Sequence, residues 1–287
     1  MSRLLIVTAD DLGLTVGVNR AVRRAHLDGV VTATSLLAVG RAFDDAATML
    51  RATPTLELGA HLALVGEDPP LLAPREIPTL VDRHGAFPLS YRAVVARGLT
   101  GRLDPDDVRR ELGAQLERVV GVGVPVTHLD THQHTHLWPA VGDVVADLAR
   151  AHGIGAVRLP RSRARGPIGL GVQTLSRHTA RRLRRLGLHL PADYAGLDEA
   201  GALDASRLAG ALAALRDGAA HSAEINAHPS EPDDPDLGRF DWGYRWGDEL
   251  AALTDPAARD AIEAAGYRLG GFTDLAGVTR HDERGRR

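Results

Sequence analysis

Short apolar segments alternate with helical patterns along the first third of the chain, and this alternation limits the possible folds more than any other feature. The apolar segments cover residues 4–9, 30–38 and 58–64 and are rich in β-forming side chains, as buried strands are. Between them, Thr15 can cap a helix that runs to about residue 26, and a second helical pattern covers residues 41–51. This order predicts a parallel sheet with helices packed outside it.

The remainder of the chain continues the pattern but contains three irregular stretches. Further strands are expected near residues 124–130, 155–159, 222–227 and 267–272, and further helices near 105–120, 138–152, 204–217 and 256–265. Prolines mark residues 66–91 as a long loop, residues 160–200 hold only a basic helix near 173–185, and residues 229–247 form a loop. We expect one α/β domain over residues 1–279, with insertions at about 66–91 and 160–200, and a charged tail at 280–287.

Composition excludes several classes of protein. The chain of 287 residues contains no cysteine, which rules out disulfide frameworks, thiolate metal sites and a cysteine nucleophile. A formal charge of −3 argues against a nucleic-acid partner, which usually requires a basic surface. No apolar run approaches the ~18 residues of a membrane span, and the run at residues 4–7 is too short for a signal peptide. We expect a cytoplasmic protein without a membrane span.

Two adjacent carboxylates, Asp10 and Asp11, follow the first predicted strand. Their charges repel each other unless a cation lies beside them, and the carboxyl ends of parallel strands are where α/β proteins place their sites. The alternative interpretation is a capping aspartate in a turn with a solvated neighbour. The pair is therefore a candidate site that needs support from other residues.

Histidines supply that support. His61 interrupts an apolar strand, where it is either a hydrogen-bonded core residue or a ligand. Four of the 13 histidines and one aspartate alternate over a short stretch, and an extended chain would point all five the same way. These residues are His128, Asp130, His132, His134 and His136. Their density predicts a metal or proton-transfer site, and nitrogen and oxygen donors suit Zn, Co, Ni, Mn or Mg.

His228 follows the strand expected at 222–227 and is either a general acid or a residue that caps the next loop. Each of these polar groups comes after a β-like run. A parallel barrel would therefore gather them at one mouth.

Six segments of the sequence match a known family. They are LLIVTADDLGLTVGVNRAV, VVTATSLLA, LGAHLAL, THLDTHQHTHLWP, NAHPS and YRLGGFTDL, and together they span almost the whole chain. Through them the chain resembles the YdjC-like carbohydrate deacetylases. The resemblance implies a deformed (β/α) barrel like that of polysaccharide deacetylases, and a homodimer. Leu12 replaces the usual aromatic residue after the acidic pair and Thr8 replaces a common asparagine, but neither departure removes a catalytic group.

The resemblance also implies a reaction, the removal of an N-acetyl group from an amino sugar with release of acetate. One divalent metal ion, Mg or Zn before Co, Ni or Mn, would be bound by Asp11, His61 and His132. Asp10 would act as the general base, and His228 would protonate the departing amine. Arg158 either orients Asp10 or is a surface arginine.

The remaining members of the histidine-rich stretch are expected to orient the ligands without binding the metal themselves. They are His128, Asp130, His134 and His136, with Asp130 the best partner for a ligating imidazole. Two alternatives stay open: a phosphoesterase or other hydrolase on a similar barrel, and a metal- and sugar-binding protein without catalysis.

Two further features are less specific. Trp242, Tyr244 and Trp246 lie in one loop and either stack on a sugar or pin the loop. Five arginines at residues 177–185 form either a solvated helix face or a patch for an anionic group.

Overall fold

The computed structural model describes residues 2–218 and 220–277, which contain eight strands and nine α-helices. The strands are β1 (Arg3–Leu12), β2 (Ala33–Leu36), β3 (Glu57–Leu62), β4 (Val126–Thr131), β5 (Ala156–Val157), β6 (Asp193–Ala195), β7 (Ser222–Ala227) and β8 (Tyr267–Leu269). The helices are α1 (Val16–Leu27), α2 (Phe43–Arg51), α3 (Tyr91–Leu99), α4 (Pro105–Val120), α5 (Pro139–Ala151), α6 (Pro167–Arg185), α7 (Ala205–Gly218), α8 (Trp246–Thr254) and α9 (Pro256–Ala264).

The strands form a curled parallel sheet. Their order is β5-β4-β3-β2-β1-β7-β6, and β8 pairs with the beginning of β1. The two edges of the sheet approach each other through His189, which precedes β6. Its N–H donates to the Gly155 carbonyl, and its carbonyl accepts from the Val157 N–H. This curled parallel sheet with outer helices confirms the predicted α/β barrel class.

Local sequence signals explain the first elements. β1 is buried along its whole length after Arg3, as its apolar sequence predicts. The Thr15 side chain accepts from the Val18 N–H at 3.1 Å and caps α1, and Asp104 caps α4 in the same way. The apolar stripe of α1 then packs on the sheet through residues such as Val18 and Val22, which are fully buried. Capping and patterning together fix where these helices begin and which face they bury.

Four elements differ from the sequence prediction. The sequence does not predict α3, because Val94 is its only buried side chain and a short helix with one buried residue shows little periodicity. α6 begins at Pro167, earlier than expected, and β6 lies in the stretch expected to be irregular. α8 begins inside the expected loop at 229–247. The expected tail at 280–287 lies outside the described residues.

Among the described residues, no helix combines the length and the apolar character that crossing a bilayer requires.

Candidate metal centre and active site

β1 carries an irregularity at Asp10 and Asp11. Successive side chains of a regular strand point to opposite faces, which would separate the two carboxylates. The pairing of β1 with β2 shifts register between Ala9 and Leu12, and Asp11 adopts a φ of +62°. Such a conformation costs on the order of 1 kcal/mol in a non-glycine residue and is typical of functional sites. It leaves each carboxylate with an oxygen within 4.8 Å of a His61 ring nitrogen.

Asp11, His61 and His132 form one buried cluster. Asp11 Oδ1 lies 3.0 Å from His132 Nδ1 and 3.3 Å from His61 Nε2. His61 comes from β3, and His132 begins the 3-10 turn His132–Leu137 that follows β4. One donor atom from each of the three residues lies within 4.8 Å of the other two. The three predicted ligands therefore come together.

The cluster suits a divalent metal ion. Asp11 Oδ2 is buried and has no hydrogen-bond partner in the described chain, which is costly for a carboxylate unless a cation binds it. His61 Nδ1 lies 3.0 Å from Asp130 Oδ1, so its other nitrogen, Nε2, is held toward Asp11. Ligating imidazoles usually have such a carboxylate behind them. Two imidazoles and one carboxylate are a donor set that borderline divalent ions accept.

A second group of possible ligands is less suitable. Asp10, His61 and Asp130 also approach within 4.8 Å of one another. Arg158 and Asn226 already donate to Asp10, while Ser35 donates to Asp130 at 3.0 Å. These carboxylates are thus satisfied by protein donors, whereas one oxygen of Asp11 is free.

The electrostatics of the cluster favour a positive charge beside Asp11. Burial alone would raise the pKa of Asp11, but the imidazoles of His132 and His61 hold it well below its ordinary value. Burial alone would lower the pKa of His61, yet the carboxylates of Asp130 and Asp11 raise it to about 10. An imidazolium or a bound cation can supply the charge that these carboxylates stabilise.

Arg158, which follows β5, binds three carboxylates and is fully buried, so it is not the surface arginine of the alternative interpretation. Its Nη1 and Nη2 donate to the two oxygens of Asp10 at 2.7 Å each, a bidentate pair. It also pairs with Asp130 and with Glu224, whose Oε1 lies 2.8 Å from Nε. Burial and the neighbouring Asp10 raise the pKa of Glu224 to about 7, although Arg158 opposes the shift.

His228 lies between two carboxylates. Its Nε2 is 3.9 Å from Asp10 Oδ2, and its Nδ1 is 3.8 Å from Glu249 Oε2. Its backbone N–H donates to the same Glu249 oxygen at 2.5 Å. Glu249 comes from α8 and is fully buried, so it fixes the position of His228 beside Asp10.

The histidine-rich stretch is not extended throughout, so the alternation that would point its five polar side chains the same way does not continue past Thr131. β4 ends at Thr131, and Gln133 and His134 have φ values of +49° and +54°. Apart from the predicted ligand His132 itself, Asp130 is the member that hydrogen-bonds a predicted ligand in the described chain, namely His61. The other members have different partners.

His128 and His136 are buried away from the three predicted ligands. His128 stacks on Phe272 with ring centroids 3.6 Å apart, and burial lowers its pKa to about 3. His136 Nε2 lies 3.1 Å from the Arg158 carbonyl, and its Nδ1 lies 2.6 Å from Thr131 Oγ1. Burial lowers the pKa of His136 to about 4, so it is a neutral imidazole that positions the Arg158 backbone.

Three residues near Asp10 or His228 escaped the sequence analysis. They are Glu224, Asn226 and Glu249. Asn226 Nδ2 donates to Asp10 Oδ2 at 2.8 Å, and its Oδ1 accepts from Tyr194. The available signal for the first two was a glutamate and an asparagine inside β7, a strand whose residues are all buried. Nothing in the sequence marked Glu249, because its role depends on where α8 packs.

The aromatic loop borders the cluster. The Trp242 ring centroid lies 5.3 Å from that of His132, and the Tyr244 ring lies 5.1 Å from that of His228. Trp242 Nε1 donates to Glu67 at 2.8 Å. Trp246 is only 7% exposed and packs against both other rings, so it offers little surface to a ligand.

Comparison with known proteins gives consistent matches. The family model of the YdjC-like protein matches residues 4–264. The carbohydrate deacetylase of Geobacillus stearothermophilus is 33% identical over 94% of this chain and 96% of that protein. The chitooligosaccharide deacetylase of Serratia marcescens is 34% identical over 96% of this chain and its own full length. A crystal structure from Enterococcus faecalis, described as a candidate cellobiose-phosphate cleavage protein, superposes with a TM-score of 0.81 at 24% identity. That match covers 96% of this chain and 99% of the other.

The family model spans most of the chain, and these two relatives cover at least 94% of it above 30% identity. The chain belongs to the YdjC-like protein family.

Proposed function

We propose that this protein is a carbohydrate deacetylase that uses one divalent metal ion to remove an N-acetyl group from an amino sugar. The observation that carries the proposal is the buried carboxylate of Asp11, whose Oδ1 contacts the imidazoles of His61 and His132 while its Oδ2 has no partner in the described chain. The relatives of this chain are named deacetylases. Asp11, His61 and His132 would hold the ion. When bound, it would polarise the amide carbonyl and lower the pKa of a nearby water.

Asp10 is the proposed general base. Arg158 donates to both of its oxygens and Asn226 to one, so the carboxylate is fixed in a single orientation. A base in fixed orientation beside the ion can take a proton from an attacking water as the carbonyl carbon is approached. Arg158 acts as a positioning residue, because its guanidinium is buried behind Asp10 and has no access to a ligand.

His228 is the proposed general acid. An amide nitrogen is a poor leaving group unless it is protonated as the C–N bond breaks. His228 Nε2 lies 3.9 Å from Asp10 Oδ2 and its position is held by Glu249, so it can donate to a nitrogen bound beside Asp10. The reaction then yields the free amine and acetate.

Trp242 and Tyr244 are the proposed sugar contacts. Both rings are half-buried beside His132 and His228, and the C–H faces of sugars pack on such rings. Trp246, which is buried and packs against both rings, would support them rather than touch the sugar. A homodimer and a cytoplasmic location stay predictions from the sequence.

Acetate release from N-acetylglucosamine oligomers tests the proposal. We expect release by the purified protein, its loss after treatment with a chelator, and its recovery when a divalent metal is restored. Metal content of about one ion per chain is expected, since the described residues form one cluster with a free carboxylate oxygen. Acetate release that survives complete metal removal would contradict the proposal. Two ions per chain together with phosphoester hydrolysis would favour the rival phosphoesterase.

A further inference from the structure

A large apolar cavity adjoins the candidate active site. It has a volume of about 630 Å³ and lies between α3, the turn at His132–Leu137 and α6. Its lining is dominated by apolar side chains, among them Val94, Val95, Leu137, Trp138, Val172 and Leu175. Pockets of this size and character usually bind small molecules.

Two residues of the cavity lining, His134 and Thr135, lie on the turn that follows the predicted ligand His132. Their Nδ1 and Oγ1 atoms are enclosed by the protein and have no partner in the described chain, so these atoms are not offered to the cavity. The turn is also strained, since Gln133 and His134 have positive φ values. The surface that the cavity offers to a ligand is therefore mainly apolar.

The same turn connects the cavity to the chemistry. His134 Nε2 lies 3.4 Å from the Tyr194 hydroxyl, which donates to Asn226. Asn226 in turn donates to Asp10. One wall of the cavity is therefore continuous with the groups that orient the proposed base.

The rim of the cavity is apolar as well. Ile168, in the first turn of α6, lines the cavity and is 65% exposed, and Tyr91 at the start of α3 is 37% exposed. Exposed apolar side chains around a concave site mark a binding surface. A free sugar, which is covered with hydroxyl groups, would leave these side chains unmatched.

We propose that the cavity binds the apolar aglycone of an amino-sugar glycoside whose N-acetyl group lies at the Asp11 cluster. The inference rests on the proposed deacetylase function and names its substrate class: a glycoside with an alkyl or aryl group on the sugar. The side chains of α3 and α6 cover that apolar group.

Matched glycosides test the proposal. Acetate release is measured for the methyl and the octyl β-glycosides of N-acetylglucosamine, and octyl β-glucoside, which has no amide, is titrated by calorimetry below its micelle concentration. For the wild-type protein we expect kcat/KM to be at least about tenfold higher for the octyl glycoside, chiefly through KM, because the buried methylenes contribute to binding. We also expect measurable heat from octyl β-glucoside.

Substitutions on α6 locate the effect. Val172→Glu places a charge in the cavity, and Val172→Trp fills it, so both should bring the octyl-to-methyl ratio close to one while the methyl glycoside is turned over as before. Leu170→Glu is the matched control, because Leu170 lies on the same helix, is 60% exposed and does not line the cavity. Thermal unfolding confirms that each variant is folded. If Val172→Glu does not fold, the octyl-to-methyl ratio of Val172→Trp serves as the test.

The outcomes separate the two proposals. Equal kcat/KM for both glycosides without calorimetric binding, or a ratio that the Val172 variants leave unchanged, would overturn the cavity proposal. The cavity proposal is also overturned if octyl β-glucoside does not bind and the Val172 variants instead change the oligomeric state. The cavity surface would then be a contact between two copies of the chain. If neither glycoside releases acetate, the deacetylase proposal fails, and the calorimetric titration alone decides whether the cavity binds an apolar aglycone.

Discussion

Glu224→Gln should remove a pH-dependent loss of stability that the wild-type protein shows. Glu224 is fully buried beside Arg158, and burial with the nearby Asp10 raises its pKa from 4.5 to about 7. Between these values the folded protein holds a proton that the unfolded chain has released. The contribution to stability is therefore complete below pH 4.5 and is lost as the pH rises through about 7.

The magnitude follows from the size of the shift. A change from 4.5 to about 7 corresponds to roughly 2.5 pKa units, or on the order of 3 kcal/mol in the free energy of unfolding. Glutamine keeps an oxygen that accepts from Thr8 and Arg158 but does not titrate. As the pH rises from 4.5 to about 7, the wild type should lose about that much free energy of unfolding and the variant should not.

Urea unfolding of the metal-depleted proteins across this pH range measures the difference. Glu263→Gln, which changes an exposed carboxyl on α9, is the control and should follow the wild-type curve. Parallel curves for the wild type and Glu224→Gln would refute the reasoning, because they would mean that Arg158 keeps Glu224 ionised together with Asp10 and Asp130.

Three other substitutions test separate contacts. Asp130→Asn should weaken metal binding about 10- to 100-fold in a chelator competition, because His61 loses its orienting carboxylate; Glu224→Gln, which does not contact His61, should not. His228→Gln should lower kcat about 100-fold with little change in KM, and an equal rise in KM would point to a binding role instead. Trp242→Ala should raise KM for N-acetylglucosamine oligomers roughly tenfold at unchanged kcat, and an unchanged KM would remove the ring from the sugar site.

The sequence predicts the elements that have strong local signals. β1, α1 and α4 carry unbroken apolar patterns or a clear cap, and the structure places them close to the expected bounds. α3 and α8 are short and begin beside loops, so their patterns are too weak to separate from the loops around them. Element type is thus readable where burial imposes a period over a long segment, and it is lost in short helices that begin beside loops.

The site divides in the same way. Asp11, His61 and the histidine-rich stretch stand out because polar residues in or after apolar strands are rarely chosen for packing. The choice of His132 within that stretch came from the family resemblance, and the parallel topology brings the three residues together. Alternation alone misplaces His134 and His136, because the strand ends at Thr131 and the chain turns sharply there.

Buried partners were the hardest part of the site to predict. Arg158 has an equally good surface interpretation in the sequence, and only the packed barrel shows that it is surrounded by carboxylates. Glu249 lies 21 residues after His228, which is beyond the reach of any local sequence pattern. Its contact with the His228 N–H depends on where α8 packs. Such contacts are set by tertiary packing, which no local period reports.

The division of labour between Asp10 and Asp11 is the central claim, and one paired measurement tests it most directly. Metal content by mass spectrometry and acetate release are measured together for the wild type, Asp11→Asn and Asp10→Asn. The geometry predicts that Asp11→Asn loses metal and activity together, because Asp11 supplies the free carboxylate oxygen. Asp10→Asn should keep its metal and lose rate by about 10²- to 10⁴-fold. Full metal content and turnover in Asp11→Asn, or loss of metal in Asp10→Asn, would contradict the account.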